Sequence, residues 1–206
     1  MVFGFKKSKL DGSEKVFGGE LSALLPDEYS YKNFLPKVVN QGANPICVPC
    51  SLSTYVNWKL NLKDGGKIDN KMDYFAVYNS KTTEGDGMSF KDALAYVADK
   101  GVKTEKGKFN IKDYALVKNI AGLRKAVVAN GPCLGALPVY DTSRNSFWNA
   151  GGGAYDIIGY HAISIVGYNK KGFVIRNSWG SSYGDKGYAL LPYDEFSKFI
   201  EVWTIL

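Results

Sequence analysis

Residues 160–168, with the sequence YHAISIVGY, contain the only histidine of the 206-residue chain, and the sequence NSWG follows at residues 177–180. The apolar, β-branched character of the first stretch predicts a buried strand that carries His161 near its start. A single histidine in an apolar run is more often a hydrogen-bonded core residue than a catalyst, so His161 alone does not indicate a catalytic site. Asn177 adds a carboxamide oxygen that can accept a hydrogen bond from one imidazole nitrogen and so fix the tautomer of His161.

A second segment, QGANPIC at residues 41–47, supplies a thiol upstream of the histidine. Apolar residues recur at helical spacing after Cys47, and Pro49 falls in a first turn, where proline is tolerated. The pattern therefore predicts that a helix begins at Cys47. Unpaired amide N–H groups at a helix N-terminus favour the thiolate form of a cysteine. Cys47 is the candidate nucleophile, and His161 is the candidate base that accepts its proton.

Two further residues complete this chemistry. The side-chain amide of Gln41 can donate to an oxygen that becomes negative in a tetrahedral intermediate, with the backbone N–H of Cys47 as a second donor. Trp179 is placed to cover the contact between Asn177 and His161 and to exclude water from it. The four polar side chains together predict a thiol hydrolase.

The order of these segments resembles that of the papain-like cysteine peptidases. Gln41 precedes Cys47 by the family's interval, and residues 161–162 (HA) and 177–180 (NSWG) are similar to the family's histidine and asparagine blocks. Residues 84–93 are similar to the family's glycine-containing loop and helix, which bind the substrate backbone, and GYALLPY at residues 187–193 resembles the closing strand. The likeness is greatest to compact prokaryotic and viral members that lack a long propeptide.

The resemblance implies an α+β fold with two lobes, a helical lobe that carries the nucleophile helix and an antiparallel, β-barrel-like lobe. It implies hydrolysis of peptide bonds, by an endopeptidase or an exopeptidase, through a thiolate nucleophile and an acyl-enzyme. It also implies a pocket for the second substrate residue before the cut, lined by Gly87, Met88, Ala136 and Ala162. Trp179 is placed with these substrate-binding residues.

The chain divides into residues 1–25, predicted to be an N-terminal extension, and residues 26–206, predicted to be one catalytic domain. The helical lobe is expected at about 26–130 and the strand-rich lobe at about 131–206. The extension is too short to fold as the inhibitory prosegment that many family members carry, so we hypothesise that it lies across the cleft as a short plug. Periodicity predicts helices from Cys47 to about Leu60, over Phe90–Lys100 and over Leu116–Val127, and strands over Cys133–Tyr140, His161–Tyr168, Gly172–Arg176 and Gly187–Leu191.

Composition excludes several classes of function. The net charge of +6 comes mainly from scattered lysines, without the clustered charge and interleaved aromatics of nucleic-acid binding. The chain has no apolar run long enough to span a membrane, and its first residues lack the apolar stretch of a secretory signal. The odd number of cysteines, Cys47, Cys50 and Cys133, favours free thiols in a reducing, intracellular compartment. We expect a peptide or protein substrate and neither cofactor nor metal, with association with a virion or a larger assembly kept as an alternative.

Two other functions stay open. Pro45 and Ile46 replace the small residues that usually precede the nucleophile in this family. One alternative is therefore a papain-like scaffold with an attenuated or vestigial site that serves as a structural or binding protein. Cys47 and Cys50 also form a C-x-x-C motif of the kind found in thiol-disulfide oxidoreductases. That reading leaves His161 and Asn177 without a role.

Overall fold

The longest described helix, α1 (Cys47–Asp64), begins at the candidate nucleophile. The computed structural model describes residues 3–18, 24–64, 66–81, 87–142, 146–153 and 155–206, so residues 84–86 of the glycine-containing loop lie outside the described residues. Helix α1 packs against α2 (Tyr74–Asn79) and α3 (Phe90–Asp99), and these three helices form the helical lobe. Helix α3 begins where predicted, because Ser89 caps it by accepting a hydrogen bond from the backbone N–H of Asp92 at 3.1 Å.

The strand-rich lobe is a seven-stranded antiparallel sheet. Its strands follow the order β4-β9-β5-β6-β7-β8, and the short β1 pairs with β6. A separate two-stranded sheet pairs β2 with β3. The architecture is therefore α+β, as predicted. The strands are β1 (Tyr29–Ser30), β2 (Val102–Thr104), β3 (Gly107–Phe109), β4 (Tyr114–Leu116), β5 (Cys133–Tyr140), β6 (Ile157–Tyr168), β7 (Gly172–Arg176), β8 (Tyr188–Pro192) and β9 (Glu201–Ile205).

The boundary between the lobes differs from the predicted one near residue 130. Strand β4 pairs with β9 in the large sheet, and the helix that follows, α4 (Ile120–Asn130), packs against β5, β6 and β9. The strand-rich lobe thus includes the chain from Tyr114 onward. The predicted helix over Leu116–Val127 also begins later, at Ile120, because the side chain of Asn119 caps it by accepting from the N–H of Gly122 at 2.7 Å.

Two buried serines join the lobes beside the candidate site. The hydroxyl of Ser51 on α1 donates to the carbonyl oxygen of Ile163 on β6 at 2.7 Å, and the hydroxyl of Ser164 donates to the carbonyl oxygen of Ser51 at 3.0 Å. These bonds satisfy polar groups that burial would otherwise penalise. They hold the start of α1 against β6, the strand that carries His161. No described helix is long and apolar enough to cross a bilayer.

Candidate active site

The imidazole of His161 is held by a hydrogen bond and a stacked ring. Its Nε2 lies 2.7 Å from Oδ1 of Asn177, and both residues are buried. The indole of Trp179 stacks on the imidazole with the ring centroids 4.6 Å apart and the planes inclined by 26°. Nδ1 of His161 has no hydrogen-bond partner among the described residues. The structure therefore joins His161, Asn177 and Trp179 as the sequence predicted, and leaves one imidazole nitrogen available.

A second aromatic side chain that the sequence did not single out completes this cluster. The ring of Phe147 lies 5.6 Å from the imidazole of His161 and 4.9 Å from the ring of Trp179. Tyr183 packs edge-on against Trp179 at 5.3 Å, and its phenol interacts with the side chain of Asn177. Aromatic walls of this kind exclude water from the buried hydrogen bond between the imidazole and the carboxamide.

Cys47 lies at the first position of α1 and is fully buried. The carbonyl oxygen of Ile46 accepts the N–H of Cys50 at 3.0 Å, so the helical hydrogen bonds start immediately before the thiol. The backbone N–H groups of Ala162 and Gly4 point to the sulfur. Since Ala162 follows His161 in the chain, the sulfur lies against the peptide that adjoins the histidine. The fold thus brings Cys47 from one lobe to His161 of the other.

Gln41 is buried and holds the loop before α1 to the segment after β7. Its Oε1 accepts the hydroxyl of Ser178 at 2.6 Å, and its Nε2 donates to the carbonyl oxygen of Asn44 at 2.9 Å. Its backbone N–H also donates to the carbonyl oxygen of Ser178 at 2.9 Å. Ser178 follows Asn177, so Gln41 lies beside the histidine–asparagine pair. One of its two amide hydrogens is bonded to Asn44, and the second is left for another acceptor.

An N-terminal arm, which we define as residues 3–17, covers this site. The ring of Phe3 lies edge-on to the imidazole of His161 at 6.5 Å. The carbonyl oxygen of Gly4 accepts the N–H of Met88 at 2.8 Å, and the N–H of Lys6 donates to the carbonyl oxygen of Met88 at 2.9 Å. These bonds form a short parallel pairing between the arm and the segment before α3. The arm therefore occupies the groove between the lobes as an added strand.

The rest of the arm is anchored beyond the groove. The ring of Phe5 is buried and packs against Phe90 at 5.2 Å. The amino group of Lys91 on α3 forms an ion pair with Glu14 at 2.6 Å. The N–H of Phe17 donates to the carbonyl oxygen of Leu116 at 2.8 Å. Several separate contacts thus hold the arm in place.

Burial shifts the pKa values of the two reactive groups away from their usual ranges. Burial raises the pKa of the Cys47 thiol to about 11, although the N–H groups around the sulfur act in the opposite direction. Burial lowers the pKa of the His161 imidazole to about 4, against the hydrogen bond to Asn177. The sequence-based expectation that the helix N-terminus favours the thiolate does not hold in this covered state, because loss of solvent outweighs the amide dipoles.

Two of the predicted substrate-binding residues, Gly87 and Met88, lie against the arm. Met88 pairs with it directly, and a side chain at Gly87 would meet the arm, since an added Cβ would lie 2.9 Å from the carbonyl oxygen of Gly4. Ala136 on β5 is paired in register with Ala162 on β6. Their side chains therefore share one face of the sheet.

All three cysteines are free thiols and buried. Burial raises the pKa of Cys50 far above its usual range and that of Cys133 to about 12. Cys50 lies one helical turn after Cys47, without a disulfide to it. None of the three thiols has the lowered pKa and exposure of a reactive cysteine in this covered state, and Cys47 differs from the other two in lying against the peptide that adjoins His161.

Comparison with known proteins bears on this geometry. Residues 50–199 match the family model described as papain family cysteine protease. A probable cysteine proteinase of Invertebrate iridescent virus 6 is 27% identical over 131 residues, which cover 46% of this chain and 29% of the viral protein. Cathepsin K of Mus musculus is 27% identical over 221 residues, which cover 89% of this chain and 65% of the cathepsin. The chain thus spans less than two thirds of the length of these relatives.

Among solved structures, xylellain, a cysteine protease from Xylella fastidiosa, superimposes with a TM-score of 0.81 at 22% sequence identity. The superposition covers 98% of this chain and 95% of xylellain. The likeness is one of fold, and it extends over both lobes.

Proposed function

Because the chain belongs to the papain family of cysteine proteases, we propose that it is a cysteine peptidase that hydrolyses peptide bonds through a thiolate nucleophile and an acyl-enzyme. The observation that carries this proposal is the hydrogen bond of 2.7 Å between Nε2 of His161 and Oδ1 of Asn177, next to a thiol at a helix N-terminus. The bond leaves Nδ1 of His161 as the nitrogen that exchanges a proton with Cys47.

In this mechanism the Cys47 thiolate attacks the carbonyl carbon of the scissile peptide, and His161 donates the proton to the leaving amine. Asn177 orients the imidazole. The remaining amide hydrogen of Gln41 and the backbone N–H of Cys47 bind the oxyanion. Water then attacks the acyl-enzyme with His161 as base, which releases the acid and restores the thiol.

We further propose that the arm keeps this peptidase latent. Its Gly4 N–H points to the Cys47 sulfur. In a trans peptide the carbonyl oxygen of the preceding residue lies opposite that N–H. The Phe3 carbonyl oxygen therefore points away from the sulfur. The arm fills the groove in an orientation that resists cleavage, so it acts as an inhibitor rather than as a substrate.

Labelling with an epoxysuccinyl thiol inhibitor, followed by peptide mapping, tests the proposed function. The peptidase predicts selective labelling of Cys47, faster when the arm is displaced and lost in His161→Ala. If labelling is absent even with the arm displaced, or is spread equally over Cys50 and Cys133, the vestigial scaffold is favoured instead. Turnover of peptide substrates by the labelled and unlabelled protein provides the second readout.

A further inference from the structure

The proposed mechanism uses only one end of the Asn177 carboxamide. Oδ1 lies 2.7 Å from Nε2 of His161 and accepts the backbone N–H of Ser178 at 2.8 Å. These two contacts use both lone pairs of the oxygen. Nδ2, the other end of the carboxamide, is buried and has no partner of normal hydrogen-bond geometry among the described residues. A buried amide donor without an acceptor is costly, so a group that faces Nδ2 affects how the side chain is held.

The phenol of Tyr183 is the group that meets this nitrogen. Burial raises the pKa of the phenol, and its contact with the Asn177 side chain lowers it. An amide N–H that donates to the phenol oxygen favours the phenolate and lowers the pKa, whereas an amide oxygen that accepts from the phenol has the opposite effect. The direction therefore identifies Nδ2 as the end of the carboxamide that contacts Tyr183. The contact is longer or more bent than an ordinary hydrogen bond.

The backbone fixes the position of Tyr183 relative to Asn177. The N–H of Asn177 donates to the carbonyl oxygen of Gly187 at 3.0 Å, and the N–H of Gly187 donates to the carbonyl oxygen of Tyr183 at 2.6 Å. The Tyr183 ring packs edge-on at 5.3 Å against Trp179, the indole that stacks on His161. Main-chain bonds and ring packing thus hold the phenol beside the carboxamide.

An acceptor at Nδ2 restrains the whole carboxamide of Asn177. The group is planar, and rotation about its Cβ–Cγ bond is otherwise soft. Without the Tyr183 phenol, Nδ2 would be a buried donor with no acceptor, and rotation about this bond would be its route to another partner. That rotation moves Oδ1 out of line with Nε2 of His161. The imidazole would then present Nδ1 to Cys47 less steadily.

We propose that Tyr183 is a positioning residue, whose phenol oxygen accepts from Nδ2 of Asn177 and so keeps Oδ1 in line with the imidazole of His161. This inference rests on the proposed peptidase function and adds a member to the groups that orient its base. Tyr183 acts through Asn177 and takes no part in making or breaking bonds. Its loss should therefore affect kcat rather than KM.

The kinetic test compares Tyr183→Phe, Asn177→Ala and the double variant in the full chain, with the arm displaced by Gly4→Ala in each. Tyr183→Phe removes one oxygen atom and keeps the ring that packs against the indole. We expect kcat to fall about 3- to 10-fold, the range of one hydrogen bond, with little change in KM. The same substitution should lower kcat less than about twofold in the Asn177→Ala background, because both changes break one chain of contacts.

A second readout needs no turnover and uses the chain with the arm in place. His161 is the only histidine, so the nuclear magnetic resonance signals of its ring are assigned without ambiguity. The Nε2–H proton donated to Asn177 should exchange with water about 3- to 10-fold faster in Tyr183→Phe than in the wild type. The matched control is Tyr193→Phe, which removes a phenol hydrogen bond of 2.7 Å to the carbonyl oxygen of Asn169 and should change neither kcat nor this exchange.

Unchanged kcat and unchanged Nε2–H exchange in Tyr183→Phe would overturn the role of Tyr183 and leave the peptidase intact. An equal fall in kcat with and without the Asn177 side chain would do the same. Absence of turnover in every variant, together with absence of Cys47 labelling, would overturn the peptidase, and the exchange of the Nε2–H proton would still decide whether Tyr183 holds Asn177.

Discussion

Substitution of Gly4 by alanine should release the arm and activate the peptidase. A Cβ at this position would lie 1.9 Å from the carbonyl oxygen, 2.3 Å from the carbonyl carbon and 2.7 Å from the Cα of Pro45. All three are backbone atoms next to α1, so no side-chain rotation relieves the contact. The backbone of Gly4 lies outside the left-handed region, so alanine introduces no strain of its own in the displaced arm.

Overpacking at a tight contact costs about 1–3 kcal/mol. Here that cost falls on the covered state alone, so it shifts the equilibrium between covered and open molecules by about 5- to 150-fold. The arm competes with substrate for the groove. We therefore expect the apparent KM to fall with the covered population while kcat stays near the wild-type value. The rate of Cys47 labelling should rise by the same factor as kcat/KM.

The assay measures kcat and KM with a fluorogenic peptide for the wild type, Gly4→Ala and the control Gly18→Ala. Gly18 has no atom within 4 Å of an added Cβ and has a negative φ, so its substitution should leave KM and the labelling rate at wild-type values. A Gly4→Ala protein with wild-type Tm, KM and labelling rate would refute the occlusion argument, since the arm would then adapt without leaving the groove.

Four further outcomes are expected. Asn177→Ala removes the acceptor for the imidazole, so kcat should fall about 10- to 100-fold with little change in KM, and a wild-type kcat would exclude the orienting role. Cys50→Ser should retain turnover while Cys47→Ser abolishes it, and inactivity of Cys50→Ser would support the redox alternative. The pKa of His161 is lowered to about 4 in the covered state, from an ordinary value of 6.5. Protonation of His161 therefore favours the open state, and the arm should be displaced more often as the pH falls from about 6.5 toward 4. Hydrogen exchange of the arm amides, corrected for intrinsic rates, should show this acceleration in wild type and lose it in His161→Gln. Arg176→Met removes three hydrogen bonds of 2.6 to 2.9 Å from a buried guanidinium, so urea unfolding should report a loss of about 2–4 kcal/mol, and a change under about 0.5 kcal/mol would contradict it.

The elements that the sequence predicted well are those with local signals. Strands β5 and β7 have the predicted bounds, because turn-forming residues mark their ends: Gly131 and Pro132 precede β5, and Asn177 follows β7. Helix α1 starts at Cys47 as expected. Strand β4 was missed because its three residues are defined by pairing with β9, almost ninety positions later in the chain. The helical spacing that begins at Leu116 runs through this strand by coincidence.

The candidate site likewise contains residues that the sequence predicted and residues that it did not. Cys47, His161 and Asn177 were predictable because their residue types suit thiol hydrolysis and their order along the chain resembles that of the papain-like peptidases. Phe147 was not, since nothing in the local sequence distinguishes it from the other aromatic residues of the chain.

The sequence suggested that the N-terminal extension lies across the cleft, but not the contacts that hold the arm there. Part of its hold on the groove comes from main-chain hydrogen bonds to Met88, which any residue type can make, so neither periodicity nor composition predicts them. Its closest approach to the body of the protein requires the absence of a Cβ at Gly4. A methyl group added at Gly4 should disfavour the covered state without changing any reacting group. Control of the peptidase can therefore be altered independently of the chemistry at Cys47. A variant that frees the thiol without touching any reacting group is the most direct measure of how much activity the arm withholds.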